Sequence, residues 1–204
     1  GTVQVPTQPD IQSQYSWQTL NELLQWRAAV SPLKYAFTYL EDGDSIEKNY
    51  TYAELDLKAK AIANYLLSRQ LQGERVLMLF PSGIEFIAAF FGCLYAGALA
   101  VPAHPPKLNR SVHRLQSIVK DADAALILTT AEIKEKIGSK LDHVPDLANL
   151  DWVVSDALPL TPNVAILPTT ITSESIAFLQ YTSGSTSDPK GVMVSHSKIG
   201  RAHV

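Results

Sequence analysis

The sequence predicts an α/β fold with a mostly parallel sheet flanked by helices. Short apolar runs of strand length alternate with longer segments of helical period through the middle of the chain. Turn signals built from Gly, Pro and Asp stand at most of the junctions. No internal repeat or low-complexity tract points to another architecture.

The elements follow in order. Residues 1–15 are polar and carry prolines, and are expected to form a flexible lead-in. Trp17, Leu20, Leu23, Leu24 and Val30 then recur at helical spacing, with Ser16 as N-cap and Ser31-Pro32 as the stop. Tyr35 to Leu40 alternates and is aromatic, so a strand is predicted. The turn Glu41-Asp42-Gly43-Asp44 returns it through Ile46 to Tyr50 as a hairpin. Thr51-Tyr52-Ala53-Glu54 is a capping box opening a long helix, with Leu55, Ala59, Ile62, Ala63, Leu66 and Leu67 on one face. Gly73 closes that region.

Arg75 to Phe80 reads as a short apolar strand, and Pro81-Ser82-Gly83 turns the chain into a buried helix from Ile84 to Ala96. Gly97 suits its C-cap, and Leu99 to Ala103 is the next strand. After His104-Pro105-Pro106, a helix is predicted from Arg110 to Asp121, with Val112, Leu115, Ile118 and Val119 inward. A strand over Ala124 to Thr129, a helix over Ala131 to Lys140 and a strand over Leu150 to Val154 continue the alternation. Leu158 to Ser173 has three prolines and no helical period, which predicts a surface linker. Ile176 to Tyr181 is a strand, and Gly191 to Ser195 is its partner arm.

Composition bounds the function. Of 204 residues, 46% are hydrophobic and 18% charged, the balance of a globular domain. A net charge of −3 gives no footprint for nucleic acid or an anionic membrane surface. The longest apolar stretch, Ile84 to Ala103, is interrupted by Glu85, Gly92, Gly97 and Pro102, so no membrane span is expected. The amino end lacks the basic start and apolar run of a secretory signal. A single cysteine, Cys93, allows no internal disulfide, which fits a reducing compartment and a cytoplasmic location. Within its apolar run Cys93 reads as a small buried hydrophobe; a nucleophile would need a neighbouring base.

The densest chemistry lies between Tyr181 and Gly191. Thr182, Ser183, Ser185, Thr186 and Ser187 supply five hydroxyls, Gly184 and Gly191 permit close approach, and Lys190 supplies a positive charge. Such a loop can surround a polyphosphate, with hydroxyls and backbone N–H groups donating to its oxygens. The competing reading is a polar turn between two strands. The motif is not the helix-opening G-x-x-x-x-G-K-S/T, because β-rich Val192-Met193-Val194 follows Lys190. A hairpin loop closing over phosphates fits the pattern.

YTSGSTSDPKGVMVSH, Tyr181 to His196, resembles the phosphate-binding signature of the adenylate-forming superfamily. Residues Phe178-Leu179-Gln180, Ala100 to Thr130 and Phe37 to Leu66 narrow the likeness to fatty acyl-AMP ligases, over roughly residues 17 to 198. The resemblance implies the first part of the large N-terminal domain of such an enzyme, spanning residues 16–198. It implies that a fatty acid carboxylate attacks the α-phosphorus of Mg-ATP, giving acyl-AMP and pyrophosphate. The acyl group then passes to the phosphopantetheine thiol of an acyl carrier protein.

On the same resemblance, Thr182, Ser183, Ser185 and Thr186 donate to the β- and γ-phosphates, while Gly184 and Gly191 allow close approach. Lys190 neutralises charge and Pro189 fixes its entry angle, so the loop positions and stabilises charge without covalent chemistry. One departure is Ser187, where most of the superfamily has glycine. A positive φ there would cost about 1–2 kcal/mol, so either the loop avoids that conformation or it is less mobile. Asp188 falls at a variable position and is expected to face solvent.

Other residues carry two readings each. Lys107, Arg110, His113, Arg114 and Lys120 form a basic helix face that is either solvated or a docking site for an acidic carrier protein. His196 either caps the next element or transfers a proton. The five histidines show no metal-ligand spacing, and Mg2+ ligands are expected mostly outside these residues.

The resemblance also implies an adenine and magnesium motif, a ribose-binding aspartate and a catalytic lysine in a C-terminal domain, all beyond residue 198. The chain is therefore expected to be the front part of a longer enzyme and inactive alone. Ile199 to Val204 is expected to be a non-native tail, since IGRAHV also translates a common sequencing-adapter read. The alternatives are a long-chain acyl-CoA synthetase and a non-catalytic, nucleotide-binding fragment.

Overall fold

A computed structural model describes residues 20–41, 46–106, 112–160, 176–181 and 191–195. The expected lead-in and tail, Ser16, Trp17 and most of the 158–173 linker lie outside the described residues.

Helix α1 (Leu20–Val30) leads into a two-stranded antiparallel hairpin, β1 (Tyr35–Glu41) and β2 (Ile46–Thr51). Helix α2 (Tyr52–Ser68) follows directly. The main sheet is built from β3 (Arg75–Leu79), β4 (Leu99–Ala103), β5 (Leu126–Thr129), β6 (Asp151–Val154), β7 (Ile176–Tyr181) and β8 (Gly191–Ser195). Its spatial order is β6-β5-β3-β4-β7-β8. The first five strands in that row are parallel, and β8 runs antiparallel at the edge, paired with β7. The predicted α/β class is the observed one.

Two hydrophobic clusters sandwich the sheet, because successive side chains on a strand point to opposite faces. Val76, Met78, Ala100, Leu126 and Leu128 face α2 and α3 (Ile84–Ala96). Leu77, Leu79, Val101 and Ile127 face α4 (Val112–Ala122) and the short helices α5 (Ala131–Ile137) and α6 (Pro145–Ala148). The strands read as unbroken apolar runs because both faces are covered.

The predicted N-cap holds, as one half of a capping box: the Thr51 hydroxyl oxygen accepts from the Glu54 N–H at 3.1 Å. The Thr51 hydroxyl in turn donates to the Glu54 carboxylate at 3.1 Å. At the end of α3, Gly97 adopts the left-handed conformation (φ +70°) that closes the helix. Gly92, in the same helix, lets α2 approach: a Cβ there would stand 2.6 Å from the Ile62 side chain.

Three expectations are corrected. The inward face of α1 is Asn21, Leu24 and Arg27, whereas Val30 is exposed. Asn21 Nδ2 donates to the carbonyl of Leu94 at 2.7 Å, in the last turn of α3, where helix carbonyls lack intrahelical partners. The helix predicted to run to Lys140 ends at Ile137 and continues as a 3-10 turn, Ser139–Leu141. Helix α6 was not predicted at all.

Candidate functional site

Strand order creates the site. The crossover through α3 carries β3 to its neighbour β4 on one face of the sheet. The next, through α4, carries β4 back past β3 to β5 on the other face. The loops leaving β3 and β4 therefore part in opposite directions at the carboxyl ends of the strands. In open α/β sheets such a switch point is where ligands bind.

Here it forms a crevice of about 940 Å3. Its walls are the β3 exit (Phe80, Pro81, Ser82, Gly83), the start of α3 (Phe86, Ile87), the β4 exit (Pro102, Ala103, His104, Pro105) and α4 (Arg114, Leu115, Ile118). Gln180 of β7 completes it. Gly83 makes the turn into α3 with φ +143° and ψ −167°, a region reserved almost wholly for glycine.

β7 joins this end of the sheet because it pairs with β4, with Ala100 opposite Phe178. The segment 182–190 leaves from the carboxyl end of β7, next to Gln180, and returns at Gly191, which pairs with Tyr181. The phosphate loop expected from sequence thus begins and ends beside the crevice. Of its predicted residues, Gly191 is described: it is exposed and opens β8. Thr182, Ser183, Gly184, Ser185, Thr186, Ser187, Asp188, Pro189 and Lys190 lie outside the described residues, as does His196.

The basic helix face divides. His113 and Lys120 are exposed on α4, while Arg114, one step round the helix, lines the crevice. Lys107 and Arg110 lie outside the described residues. Sequence periodicity could not separate these residues, because the crevice wall opposite α4 comes from β3 and α3.

Cys93 is fully buried, and burial pushes its thiol up to about 12 from its usual value of 9.0. That matches the hydrophobe reading rather than a nucleophile, since the thiolate is the reactive form. A buried polar chain links α2 to α3: the Tyr95 hydroxyl donates to Asp56 Oδ1 at 2.7 Å, and Lys60 Nζ meets Asp56 Oδ2 at 2.8 Å. Burial, reinforced by the Asp56 charge, raises the Tyr95 pKa far above its usual range. None of these three residues lines the crevice, and the Tyr95–Asp56 bond ties the two helices together. No group of three or more His, Cys, Asp or Glu among the described residues could hold a metal ion. No helix among them is long and apolar enough to cross a membrane.

Comparison with known proteins agrees with this geometry. The family model for AMP-binding enzymes matches residues 24–203. The medium-chain-fatty-acid acyl-carrier-protein ligase JamA of Moorena producens is 41% identical over 194 residues, covering 92% of this chain and 32% of JamA. The putative fatty-acid–CoA ligase FadD21 of Mycobacterium tuberculosis is 36% identical over 186 residues, covering 87% of this chain and 31% of that protein. The crystal structure of the Legionella pneumophila fatty acyl-adenylate ligase, in complex with acyl adenylate and pyrophosphate, superposes with a TM-score of 0.81. It is 38% identical, covering 92% of this chain and 32% of that one. The chain spans about a third of the length of the relatives it matches.

Proposed function

We infer, for a chain that belongs to the AMP-binding enzyme family, that the whole protein is a fatty acid–AMP ligase. It joins a fatty acid carboxylate to the α-phosphorus of Mg-ATP and releases pyrophosphate. The acyl group then leaves acyl-AMP for the phosphopantetheine thiol of an acyl carrier protein. The observation that carries this reading is the 41% identity to a medium-chain-fatty-acid acyl-carrier-protein ligase along nearly the whole chain.

The site supports the reading in two ways. The loop 182–190 springs from the same sheet end as the switch-point crevice, so a bound polyphosphate and a second substrate would be neighbours. The hydroxyls of Thr182, Ser183, Ser185 and Thr186, with Lys190, suit β- and γ-phosphate oxygens. Gly184 and Gly191 suit close backbone approach. Mg2+ enters with ATP as part of the substrate. A cytoplasmic setting goes with this chemistry, where ATP is abundant and a lone buried thiol stays reduced.

A second reading, fatty acid–CoA ligase, is favoured by the similarity to FadD21. The two differ in acyl acceptor. ATP–pyrophosphate exchange by the whole protein with fatty acids of graded length tests the shared first step. Acyl transfer to coenzyme A and to a carrier protein then separates them. Efficient CoA-ester formation would replace the first reading with the second, and no exchange with any carboxylate would remove both. The 204-residue chain by itself is expected to show no turnover.

A further inference from the structure

We propose that Thr129, Lys58 and Glu85 are positioning residues for the reaction: they clamp the turn between β3 and α3, Phe80 to Gly83, at both of its ends. The reaction they serve is the ligase reading above, whereas the clamp rests on geometry.

The turn is weakly determined by its own residues. β3 ends at Leu79, and Gly83 precedes α3 with a backbone conformation that suits glycine. Helices α2 and α5 each begin with a threonine whose hydroxyl accepts from a first-turn N–H. Gly83 has no side chain to offer α3 in the same way. Yet Phe80, Pro81, Ser82 and Gly83 all line the crevice, as do Phe86 and Ile87 just inside α3. A wall of the site therefore hangs on a segment that needs support from elsewhere.

The first pin is Thr129. Its hydroxyl donates to the Leu79 carbonyl at 2.8 Å, immediately before the turn. Thr129 is fully buried at the end of β5, after Leu126, Ile127 and Leu128. A valine would fill that place with nearly the same shape and no polar atom, and a buried hydroxyl is costly unless it is bonded. The β3–β5 ladder stops at the Leu79–Thr129 pair. Beyond it Thr130 caps α5, and the Ala131 N–H donates to Asp156 Oδ1 at 3.1 Å. The Thr129 hydroxyl holds the end of β3 where backbone pairing runs out.

The second pin is the pair of Lys58 on α2 and Glu85 in the first turn of α3, with Nζ 3.0 Å from Oε1. The two side chains are 27% and 24% exposed, so solvent screens the pair less than one on the open surface. The Glu85 carboxylate also favours the positive end of the α3 dipole. The pair ties the uncapped start of α3 to a helix that carries its own cap.

ATP–pyrophosphate exchange by the whole protein tests the role. A full ångström of misplacement near a reaction costs roughly a hundredfold. Thr129→Val and Lys58→Met, which each loosen one end of the turn, are expected to lower kcat about tenfold and to leave KM within about twofold. Thr129→Ser and Lys58→Arg keep the hydroxyl and the charge and should recover most of the loss. Both pins hold one turn, so the double variant should fall little below the worse single, whereas independent sites would multiply to about a hundredfold. Arg75→Leu, at the other end of the strands, should lower the melting temperature and keep kcat, which separates lost stability from lost positioning.

Amide hydrogen exchange reads the clamp without any reaction. The Ile87 N–H donates to the Gly83 carbonyl at 3.3 Å. Both single variants should speed deuterium uptake at Ile87 and leave the rest of α3 protected. An unchanged kcat, a raised KM at unchanged kcat, multiplied losses in the double variant, or unaltered protection of Ile87 would overturn the proposal. If the parent protein exchanges pyrophosphate with no carboxylate, the ligase reading fails by itself, and deuterium uptake at Ile87 still decides the clamp.

Discussion

At their amino-terminal ends the central strands are tied to one another, whereas at their carboxyl ends β3 and β4 part to form the crevice. The Gly73 N–H donates to the Gly97 carbonyl at 2.9 Å, Leu99 N–H to Glu74 at 2.8 Å, and Ala125 N–H to Arg75 at 2.8 Å. Arg75 Nε adds a bond to the Ala122 carbonyl at 2.8 Å. At the other end, the Thr129 hydroxyl bonds the Leu79 carbonyl at 2.8 Å and joins β5 to β3. The β4 side instead leaves through a proline-rich exit. One end is built for cohesion and the other for access, so stability and activity should respond to different substitutions.

The largest separation is expected from Lys190→Ala. If Lys190 neutralises the phosphates, exchange by the whole protein should fall by about 10²–10³, the usual loss of one charge-stabilising group. The melting temperature should stay within a degree or so of the parent. A large drop in melting temperature with little change in exchange would reverse the assignment of the two ends.

Gly92→Ala probes the cohesive side. Its new Cβ would meet Ile62 at 2.6 Å, too close for any side chain, in a helix pair with no room to spare. Overpacking of this kind costs about 1–3 kcal/mol, read as a lower urea midpoint at unchanged slope. An unchanged midpoint would mean that α2 and α3 can separate freely.

Arg75→Leu removes the bond to Ala122 and the contact with Asp123, whose carboxylate is almost fully exposed and contributes little. The expected loss is about 1–2 kcal/mol of stability with exchange retained. Loss of exchange at full stability would show that the tied end communicates with the crevice.

The smallest effect at neutral pH belongs to Cys93. The folded chain keeps the thiol proton up to about 12, while an unfolded chain releases it near 9.0. Between those values the unfolded state binds fewer protons, so stability falls as pH rises, by about 1.4 kcal/mol per unit from this group. Denaturant titrations at neutral pH and near pH 10 should show that loss, and Cys93→Ala should remove it. A slope unaffected by the substitution would mean that the thiol reaches solvent.

The tied parts of the molecule were legible in the sequence, because their signals are local. Thr51 and Glu54 sit three residues apart and announce one helix, and Gly97 announces the end of another. The apolar run at Arg75 to Leu79 declares a strand covered on both faces. Helix α6 was not legible: four residues, Pro145–Ala148, carry no period to detect. On α1, Leu and Val spacing caught Leu24 but missed Asn21 and Arg27, which are turned inward by partners on other helices.

The crevice was illegible for a deeper reason. It exists because β5 returns to the far side of β3 while β4 lies on the other, and no run of residues records which strand becomes whose neighbour. Arg114 looked like a member of a solvated basic face until the fold brought Phe80 and Gln180 round it. The proposed phosphate loop, by contrast, was expected from its own spacing, and the sheet supplied what spacing could not, the place where the segment starts and returns.

The way β7 joins the sheet has a kinetic consequence. Strands β3 to β6 connect through single crossovers, whereas Ala100 must find Phe178 across three intervening helices and two strands. The β7–β8 hairpin is local and can close early, but its docking on β4 carries the largest loop-closure entropy of any strand pairing in the sheet. The hairpin should therefore be the last strand pair to settle and the first to detach, exchanging its amide hydrogens in an opening smaller than global unfolding. A ligand gripped by the loop at its tip would favour the docked form, so nucleotide occupancy would slow that exchange and anchor the edge of the sheet.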